Sequence, residues 1–520
     1  MNSPDPMTET VSQMLQERQK IKTVMGGAAR VAAIHNQGQY TAREWIGRLV
    51  DENTFVEIGT FVKHHQAEKR STTPGDGKIG GHARVSGRPV TVIADDLTVM
   101  AGSDGHSAMN RINRLYDQAL EFGNPYVHFG QGGGGRIPDV VGSGYMGHAD
   151  GIGPIGKRDR RIPMVTAIVG RSYGTSSFNV ALSDFSVQVQ GASMSVTSPR
   201  VIEVATAEKI TDEDLGGATV HAEKTGQIDL AVESNDAAIT AIKGFLSYLP
   251  DNANMIPPRA SSRIAGMTPA LRTLVPEDRR RGYDMRKVLR GIVDGEELFE
   301  LRPRYGRSLI TSLARINGHS VGILASQPMQ QGGALTPEAC DKATRFLTMC
   351  DSFSIPIVFL ADSPGFLVGR SVEHNRLLFK VVLLNQAIAK LRVPMMSIVV
   401  RKAFGLAYFC LGGGQMGSVL HCAWPGAEIG FMDPEVAANV VYAPKLAALD
   451  AANRATEMAR LADSLRQTSN PYDPAATMGV DEVIDPAETS VILAGFLDRL
   501  MPSFDPKRTP SALALWPTCL

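Results

Sequence analysis

The segment Pro163-Met-Val-Thr-Ala-Ile-Val-Gly-Arg-Ser-Tyr-Gly174 returns in altered form as Pro394-Met-Met-Ser-Ile-Val-Val-Arg-Lys-Ala-Phe-Gly405. The offset between their residue numbers is 394 − 163 = 231. Two further pairs of segments share this offset: Arg84-Val-Ser-Gly-Arg-Pro-Val90 with Arg315-Ile-Asn-Gly-His-Ser-Val321, and Pro125-Tyr-Val-His-Phe-Gly-Gln-Gly-Gly-Gly134 with Pro356-Ile-Val-Phe-Leu-Ala-Asp-Ser-Pro-Gly365. Three ungapped blocks in one register predict an internal duplication.

Each repeat combines short strand-like runs with helical segments. In the first repeat a strand is predicted from Pro89, a helix from Ser107 to Phe122, and another strand from Tyr126 to Phe129. A strand, a crossover helix and a second strand are typical of a βαβ unit with parallel pairing. The predicted fold class is therefore α/β, with two similar domains in tandem.

The 163–174 segment and its counterpart each predict a strand that leads into a turn ending in glycine. The first strand spans Met164 to Val169 and is followed by a predicted helix from Ser176 to Ser183. The second spans Met395 to Val400, with a helix through Tyr408 after the turn. The first N–H groups of a helix lack intrahelical partners and attract anionic oxygen atoms. Both halves are therefore predicted to hold a negatively charged oxygen.

A segment rich in Pro and Asn, Leu249-Pro-Asp-Asn-Ala-Asn-Met-Ile-Pro-Pro258, separates the repeats. It predicts two domains, residues 1–260 and residues 261–520. A weaker pair, Arg48-Leu-Val-Asp51 and Gly291-Ile-Val-Asp294, aligns at the larger offset of 294 − 51 = 243. One connection is therefore expected to differ in length between the halves.

Composition and charge exclude several classes of protein. The 53 basic and 53 acidic residues balance, so neither nucleic acid nor an anionic membrane is indicated as a partner. Residues 1–22 lack the apolar core of a signal peptide, and no stretch approaches the roughly 20 apolar residues of a membrane span, so a cytoplasmic location is expected.

The cysteines have no CxxC spacing, which favours free thiols over a zinc site or a disulfide framework. They are Cys340, Cys350, Cys410, Cys422 and Cys519.

Two glycine motifs resemble nucleotide-binding loops but lack the required context. Gly142-Ser-Gly-Tyr-Met-Gly147 fits GxGxxG, yet no strand is predicted before it and no helix after it. Gly151-Ile-Gly-Pro-Ile-Gly-Lys157 fits GxxxxGK, but Arg158 stands where Ser or Thr would bind magnesium, and a strand follows. Neither motif is expected to bind a nucleotide.

Gly170-Arg-Ser-Tyr-Gly174 fits the GxSxG nucleophile elbow, so a serine hydrolase that uses Ser172 is an alternative function. The duplication argues against it, because Ala403 matches Ser172 whereas Gly405 matches Gly174. The two turns share the glycine and not the hydroxyl. His221 is the only downstream histidine of the first half that could complete a triad.

Further motifs extend over both halves. In the second half they are Val275-Pro-Glu-Asp278, Tyr283-Asp-Met285, Cys350-Asp-Ser-Phe-Ser-Ile-Pro356, Ser363-Pro-Gly-Phe-Leu-Val-Gly369, Val400-Arg-Lys-Ala-Phe-Gly-Leu-Ala-Tyr408 and Ala423-Trp-Pro-Gly-Ala-Glu-Ile429. In the first half they are Gly102-Ser-Asp-Gly105, Gly133-Gly-Gly-Arg-Ile137, Ser183-Asp-Phe185 and Asp214-Leu-Gly-Gly-Ala218. As a set they resemble the biotin-dependent carboxyltransferase family, which includes the β subunits of propionyl-CoA carboxylases.

The resemblance implies a crotonase-like (ββα superhelix) fold for each half. It implies that the first half binds the acyl-CoA and the second half binds biotin, in an active site shared between subunits of a homo-oligomer, from dimer to hexamer. The implied catalytic residues supply backbone donors: Gly174 and Thr175 in the first half, and Gly405, Leu406 and Ala407 in the second. The implied substrate-binding residues are Gly133, Gly134, Arg136, Tyr408 and Phe409. No metal is expected.

The reaction that the resemblance implies is transfer of CO2 from carboxybiotin to the enolate of an acyl-CoA. The chain contains no Met-Lys-Met sequence, the usual biotin attachment signal of the family, and no ATP-binding region. Biotin is therefore expected on a separate biotin carboxyl carrier protein, and a separate biotin carboxylase is expected to charge it.

Three segments depart from the family pattern. Gly174-Thr-Ser176 stands where the family commonly has Gly-Gly-Ala, and Gly405-Leu-Ala-Tyr-Phe409 where it has Gly-Gly-Ala-Tyr-Asp. Gln131-Gly-Gly-Gly-Gly-Arg136 replaces Asp-Ser-Gly-Gly-Ala-Arg. Phe409 takes the place of an aspartate at a position that selects the acyl group in this family. An acyl-CoA other than ordinary propionyl-CoA is therefore expected, and decarboxylation of an acyl-CoA stays an alternative.

Overall fold

The computed structural model describes residues 6–147, 158–261 and 266–517. The chain divides into two compact units. The first contains the residues up to Ser247, together with 251–253 and Pro517. The second contains 248–250 and 254–516. Apart from Pro517, the changes of unit thus fall between residues 247 and 254, at the start of the Leu249–Pro258 segment and before residue 260.

The first unit is built on a mixed sheet. Its strands are β1 (Val56–Glu57), β2 (Lys78–Val85), β3 (Arg88–Asp95), β4 (Tyr126–Gly130), β5 (Met164–Ile168), β6 (Arg171–Tyr173), β7 (Phe185–Val189), β8 (Ser193–Ser195) and β9 (Leu230–Val232). The order in the main sheet is β1-β2-β3-β4-β5-β7-β9, antiparallel from β1 to β3 and parallel from β3 onward. Strands β6 and β8 form a separate parallel pair.

Helices cover this sheet. The described α-helices of this part are α1 (Pro6–Val24), α2 (Ala28–Asn36), α3 (Ala42–Leu49), α4 (His106–Phe122), α5 (Ile137–Val140), α6 (Ser143–Met146), α7 (Thr175–Leu182), α8 (Pro199–Thr206), α9 (Asp212–Gly216) and α10 (Asn235–Tyr248). Helix α4 buries Ile112, Leu115 and Tyr116 against Ile93, at the three- and four-residue spacing of an amphipathic helix. It ends at Gly123, which has the left-handed conformation that stops helices.

The second unit repeats this arrangement. Its strands are β10 (Phe299–Leu301), β11 (Leu309–Ile316), β12 (His319–Ser326), β13 (Ile357–Ser363), β14 (Met395–Phe404), β15 (Leu420–Ala423), β16 (Glu428–Gly430) and β17 (Glu482–Val483). The order is β10-β11-β12-β13-β14-β15-β17, antiparallel up to β12 and parallel beyond it. Strand β16 pairs with the last residues of β14, so that β14 continues to Phe404 instead of ending at the predicted Val400.

The described α-helices of the second unit are α11 (Leu271–Leu274), α12 (Met285–Arg290), α13 (Pro337–Ser352), α14 (Arg370–His374), α15 (Leu377–Ala389), α16 (Leu406–Cys410), α17 (Pro434–Val441), α18 (Ala443–Ala447), α19 (Ala451–Gln467), α20 (Tyr472–Ala475) and α21 (Thr489–Leu500). Helix α13 starts with Pro337 after Thr336, whose hydroxyl accepts the N–H of Ala339 at 3.2 Å. The core between β11–β15 and α21 contains Ile323, Ile398 and Leu493.

The structure confirms the duplication element by element. The first residues of β2 and β11 differ in number by 309 − 78 = 231, and those of α4 and α13 by 337 − 106 = 231. The left-handed hairpin residues Ser86 and Asn317 obey the same offset. The predicted α/β class with an internal repeat is therefore confirmed.

The weaker pair at offset 243 also has a structural counterpart. Asp51 accepts the backbone N–H groups of Ser86 and Gly87 at 2.9 and 2.7 Å. Asp294 accepts those of Asn317 and Gly318 at 3.0 and 2.7 Å. Because the offset is larger at the aspartates than at the hairpins, the connection between aspartate and hairpin is longer in the first half, as predicted.

Among the helices of the described residues, none combines the length and the apolar composition needed to cross a membrane.

Candidate active site

The first predicted turn lies between β6 and α7. Gly174 has φ 63° and ψ −125°, and α7 starts at the next residue, Thr175. Residues with a side chain rarely adopt this backbone conformation, so the turn depends on glycine. The N–H groups of Thr175 and Ser176 begin the helix, where no intrahelical acceptor exists for them.

The glycine loop predicted to bind substrate lies directly against this turn. A Cβ atom placed at Gly174 would lie 3.3 Å from Cα of Gly134, and one placed at Gly134 would lie 3.1 Å from the carbonyl oxygen of Tyr173. The N–H of Tyr173 donates to the carbonyl of Gly132 at 3.0 Å. Gly133 is exposed beside them. Gly133, Gly134, Gly174 and Thr175 therefore lie close together, and their roles in catalysis and substrate binding stay predictions.

The second predicted turn follows β14. Gly405 has φ 61° and ψ −151°, close to the values at Gly174. Its own N–H donates to the carbonyl of Gly430 at 2.9 Å and is therefore occupied. Gly405 shapes the turn, whereas the N–H groups of Leu406 and Ala407, in the first turn of α16, are the ones placed to bind an oxygen.

The residues after the second turn form a partly exposed apolar surface. Leu406 and Phe409 are 50% and 39% exposed. The hydroxyl of Tyr408 lies 2.8 Å from Nε2 of His421. Burial lowers the pKa of His421, which favours the neutral ring that can accept this hydroxyl proton. The ring of Phe409 packs on Gly414, where a Cβ atom would lie 2.7 Å from the ring.

Arg136, predicted to bind substrate, is buried and engaged with protein groups. Its guanidinium lies 2.7 Å from Asp76 and 3.3 Å from Asp139, and it also donates to the carbonyl of Ser103 at 3.0 Å. These contacts fix the end of the 131–136 loop. In the structure Arg136 supports the glycine loop, and a contact between Arg136 and substrate stays a prediction.

One group in the described residues has the spacing of a metal site. Ligand atoms of His64, His65 and Asp139 lie within 4.8 Å of one another. However, Nδ1 of His64 accepts the N–H of Gln66, which leaves the proton on Nε2, 2.8 Å from Asp139. Lys69 at 3.5 Å already neutralises the same carboxylate. The group therefore fits a hydrogen-bonded pair better than a metal centre.

Ser172 does not have the surroundings of a nucleophile. Its side chain is fully buried, and its described hydroxyl contact is with Ser177 at 3.4 Å. His221 instead places Nε2 2.9 Å from the carbonyl of Met194 and Nδ1 3.0 Å from Thr225. A triad needs the histidine on the serine hydroxyl, so the hydrolase alternative is not supported.

We expect Ser172→Ala to leave the carboxyl transfer that the resemblance implies unchanged. The free energy of unfolding should change by about 1 kcal/mol or less, because one weak hydroxyl contact is lost. Steady-state kinetics and thermal unfolding measure both effects. Complete loss of activity in a variant with wild-type stability would restore the hydrolase alternative.

The remaining sequence motifs have structural explanations where they are described. Residues 143–146 of the GxGxxG motif form the short helix α6, with no strand directly ahead of it in the described residues. The GxxxxGK motif and Cys519 lie outside the described residues. The other four cysteines are buried free thiols, and burial raises the pKa of Cys410 to about 12.

Residues 33–501 match the carboxyl transferase domain. The chain belongs to the carboxyl transferase family. It is 36% identical over 499 residues to the methylmalonyl-CoA carboxyltransferase 12S subunit of Propionibacterium freudenreichii subsp. shermanii, covering 95% of this chain and 94% of that one. It is 34% identical to the methylmalonyl-CoA decarboxylase subunit alpha of Veillonella parvula, covering 92% and 93%.

The solved structure of the transcarboxylase 12S hexamer with methylmalonyl-coenzyme A is similar to this chain, with a TM-score of 0.90 at 35% identity and 97% coverage of both chains. These likenesses confirm the predicted family and the crotonase-like fold. The protein is therefore a carboxyltransferase.

Two buried charge groups near the turns were not predicted from the sequence. In the first unit Lys78 and Asp95 form an ion pair of 2.6 Å beneath the Gly174 turn. In the second unit Asp362 accepts from Arg401 at 3.0 Å and from the hydroxyl of Tyr283 at 2.8 Å. The sequence signal that could have indicated these groups is the presence of charged residues within otherwise apolar strands.

Proposed function

We propose that this carboxyltransferase moves CO2 from carboxybiotin, carried on a separate protein, to the α carbon of an acyl-CoA. The observation that carries the proposal is the pair of matched turns, at Gly174 and Gly405, each followed by backbone N–H groups without helical partners. Two oxygen atoms become negative in such a reaction, one on each substrate. Two donor sites of the same construction match that requirement.

The acyl-CoA side is assigned to the first turn. The α proton of the acyl-CoA passes to the ureido nitrogen of biotin that has lost the carboxyl group, and negative charge develops on the thioester oxygen. The N–H groups of Thr175 and Ser176 begin α7 beside the loop of Gly133 and Gly134, where that oxygen would bind. Preorganised donors aimed at a developing charge contribute about 2.7–4 kcal/mol each to transition-state stabilisation. This assignment needs no side-chain nucleophile.

The biotin side is assigned to the second turn. Carboxybiotin, when bound, supplies the carboxyl group and leaves negative charge on its ureido oxygen. The N–H groups of Leu406 and Ala407 fit that oxygen, because Gly405 already donates to Gly430 and orients the turn. The exposed side chain of Leu406 would lie beside the ligand and help to exclude water.

The carrier and the carboxylase that charges it are part of the same proposal. No Met-Lys-Met sequence occurs in the 520 residues, so biotin would arrive on a carrier protein that a separate biotin carboxylase charges. The similar 12S protein assembles as a hexamer. We propose a homo-oligomer of this chain as well, from dimer to hexamer, in which one subunit supplies the acyl-CoA side and another the biotin side.

The carrier requirement has a direct test. We expect intact-mass spectrometry of the chain, produced in cells with an active biotin ligase, to show no biotin, and carboxyl transfer to depend on added biotinylated carrier. A biotin mass on this chain itself would contradict the separate carrier.

Phe409 is expected to select the acyl group, because in the proposed shared site the acyl-CoA on one subunit meets the biotin side of another. It is partly exposed next to the second turn, and its ring is held against Gly414. Phe409→Ala would remove an apolar wall and so enlarge the pocket for the acyl group. A difference of one methylene group in an apolar pocket changes the discrimination between two substrates by about 1–3 kcal/mol. Values of kcat/KM for a series of acyl-CoAs of increasing length should therefore change their ranking in the variant.

The matched control is Phe122→Ala, at the end of α4, where the phenylalanine is 53% exposed and remote in sequence from both turns. It should leave the ranking of substrates as in the wild type. An unchanged ranking in Phe409→Ala would show that Phe409 does not select the acyl group.

A further inference from the structure

The first unit contains an ion pair that is buried completely beneath the predicted acyl-CoA turn. Nζ of Lys78 lies 2.6 Å from Oδ1 of Asp95, and the two side chains are 1% and 0% exposed. The charge of Lys78, together with His128, holds the pKa of Asp95 below its ordinary value, although burial opposes this shift. The carboxylates of Asp104 and Asp95 raise the pKa of Lys78 against the effect of burial. Both members of the pair are therefore charged.

Asp95 connects this pair to the turn and to the glycine loop. Its Oδ2 accepts the hydroxyl of Ser176 at 2.6 Å and the backbone N–H of Gln131 at 3.0 Å. Ser176 is the second residue of α7, and Gln131 begins the loop that contains Gly133 and Gly134. One oxygen of Asp95 thus binds both the start of α7 and the start of the glycine loop, the two segments that form the predicted oxyanion site.

Lys78 connects the same pair to a third segment. Its ammonium group also donates to the carbonyl of Gly102 at 2.8 Å and lies 2.7 Å from Asp104. The N–H of Asp104 donates to the carbonyl of Gly134 at 2.8 Å. The pair therefore contacts the glycine loop at two points, at Gln131 through Asp95 and at Gly134 through Asp104.

His128 completes the contacts of Asp95. Its Nε2 lies 3.2 Å from Oδ1 of Asp95, and its Nδ1 lies 2.9 Å from the amide nitrogen of Asn179 on α7. An amide NH2 group can only donate, so Nδ1 accepts and Nε2–H donates to Asp95. Helix α7 is thereby fixed at a second point, one turn beyond Ser176.

The second unit forms the same fold without these charges. At the offset of 231, Leu309 stands for Lys78, Ser326 for Asp95, and Ala407 for Ser176. Removing two charges from water is costly, and replacing a buried pair by apolar residues is often neutral or stabilising. Since the second unit folds without such a pair, its presence in the first unit is not a requirement of the fold and indicates a role at the site of that unit.

We propose that the Lys78–Asp95 pair is a positioning device for the acyl-CoA side, which fixes the N–H groups of Thr175 and Ser176 for the thioester oxygen. The proposal rests on the proposed function, because it assigns a task to that same site. Because the pair is fully buried, it acts through Ser176 and Gln131. The hydroxyl of Ser176 donates to Asp95. The backbone N–H of Ser176 is a separate donor and stays available for the substrate oxygen.

The test replaces the pair by the residues of the second half, in the double variant Lys78→Leu with Asp95→Ser. The melting temperature is expected to fall, because Lys78→Leu leaves the buried carboxylate of Asp104 without its cation. The kinetic comparison is therefore made at a temperature at which both proteins are folded. Small displacements of catalytic donors lower rates by about 100-fold, so kcat for carboxyl transfer should fall by about 10- to 100-fold while KM for the acyl-CoA changes less than about threefold. Equal kcat in the folded double variant and the wild type would overturn the proposal.

A second variant keeps the test decisive if the double variant does not fold. Ser176→Ala removes only the hydroxyl that Asp95 holds, and it introduces the residue found at Ala407. We expect kcat to fall at least about fivefold at unchanged melting temperature, and unchanged kcat would again overturn the positioning role. Wild-type protein is assayed alongside. If the wild type does not transfer the carboxyl group, the proposed function is refuted. If the wild type and the variants are equally active, only the positioning role of the pair is refuted.

Discussion

Gly174→Ala is expected to lower kcat for carboxyl transfer by at least about 100-fold, the effect of losing one oxyanion donor. Gly174 has φ 63° and ψ −125°, a backbone conformation that alanine adopts only under strain. The new methyl group would also lie 3.3 Å from Cα of Gly134. Relief of both strains requires the turn to move, and the N–H groups of Thr175 and Ser176 would move with it.

Gly405→Ala is expected to have an effect of similar size on the biotin side. The methyl group would lie 3.2 Å from the carbonyl oxygen of Phe431, and the hydrogen bond from Gly405 to Gly430 would be disturbed. A suitable control is Gly191→Ala, where φ is also positive, at 80°, but a Cβ atom would meet nothing within 4 Å. That control should lose stability without losing kcat. Wild-type kcat in folded Gly174→Ala and Gly405→Ala would refute both oxyanion sites.

Asp362→Ala is expected to destabilise the protein by about 3–5 kcal/mol, the usual effect of removing one partner from a buried ion pair. Asp362 is fully buried, and Arg401, which is 6% exposed, donates to it at 3.0 Å. The hydroxyl of Tyr283 donates to the same carboxylate at 2.8 Å. The variant would leave a buried guanidinium with carbonyl partners but no opposing charge. Denaturant unfolding of the purified variant measures the loss.

The matched control is Asp463→Ala on α19, which removes an exposed partner of Arg466 within one helix. Exposed pairs of this kind contribute about 0.3–0.5 kcal/mol. Equal stability of the two variants would show that the Asp362–Arg401 pair does not hold the end of β13 against β14.

The duplication could be predicted because it is a property of residue order. A constant offset of 231 located the paired strands, the paired helices and both turn glycines, and each of these is present in the structure. The offset of 243 at Asp51 and Asp294 located an extra segment, and the two aspartates bind their hairpins in the same way. The local strand and helix pattern, together with the internal repeat, was sufficient to predict the fold class.

Side-chain partners across the fold were harder to predict. Arg136 fits a substrate-binding role by its position after the glycine loop, but Asp76, which is distant from it in the sequence, binds it in the interior. The occupied N–H of Gly405 depends on β16, a short strand without a clear sequence signature. In both cases the deciding contact is made by a residue that local sequence does not bring near.

The Lys78–Asp95 pair lay within reach of a sequence argument. Ser86 and Gly87 form a two-residue hairpin turn with positive φ, and that turn sets the register of β2 and β3. Counting outward from the turn places Lys78 opposite Asp95, as the structure shows. Opposite charges across a hairpin are common on exposed faces, however, and the burial of both faces of this sheet depends on helices that the local sequence does not bring near.

The most direct measurement is carboxyl transfer itself. A biotinylated carrier protein is charged with 13C-bicarbonate by a biotin carboxylase at the expense of ATP. The charged carrier is then separated and mixed with this chain and a series of acyl-CoAs. We predict a product acyl-CoA that carries the 13C carboxyl group, formed only when the chain, the charged carrier and the acyl-CoA are all present. The opposite result would be no labelled acyl-CoA from any substrate, with free CoA and the corresponding acid released instead.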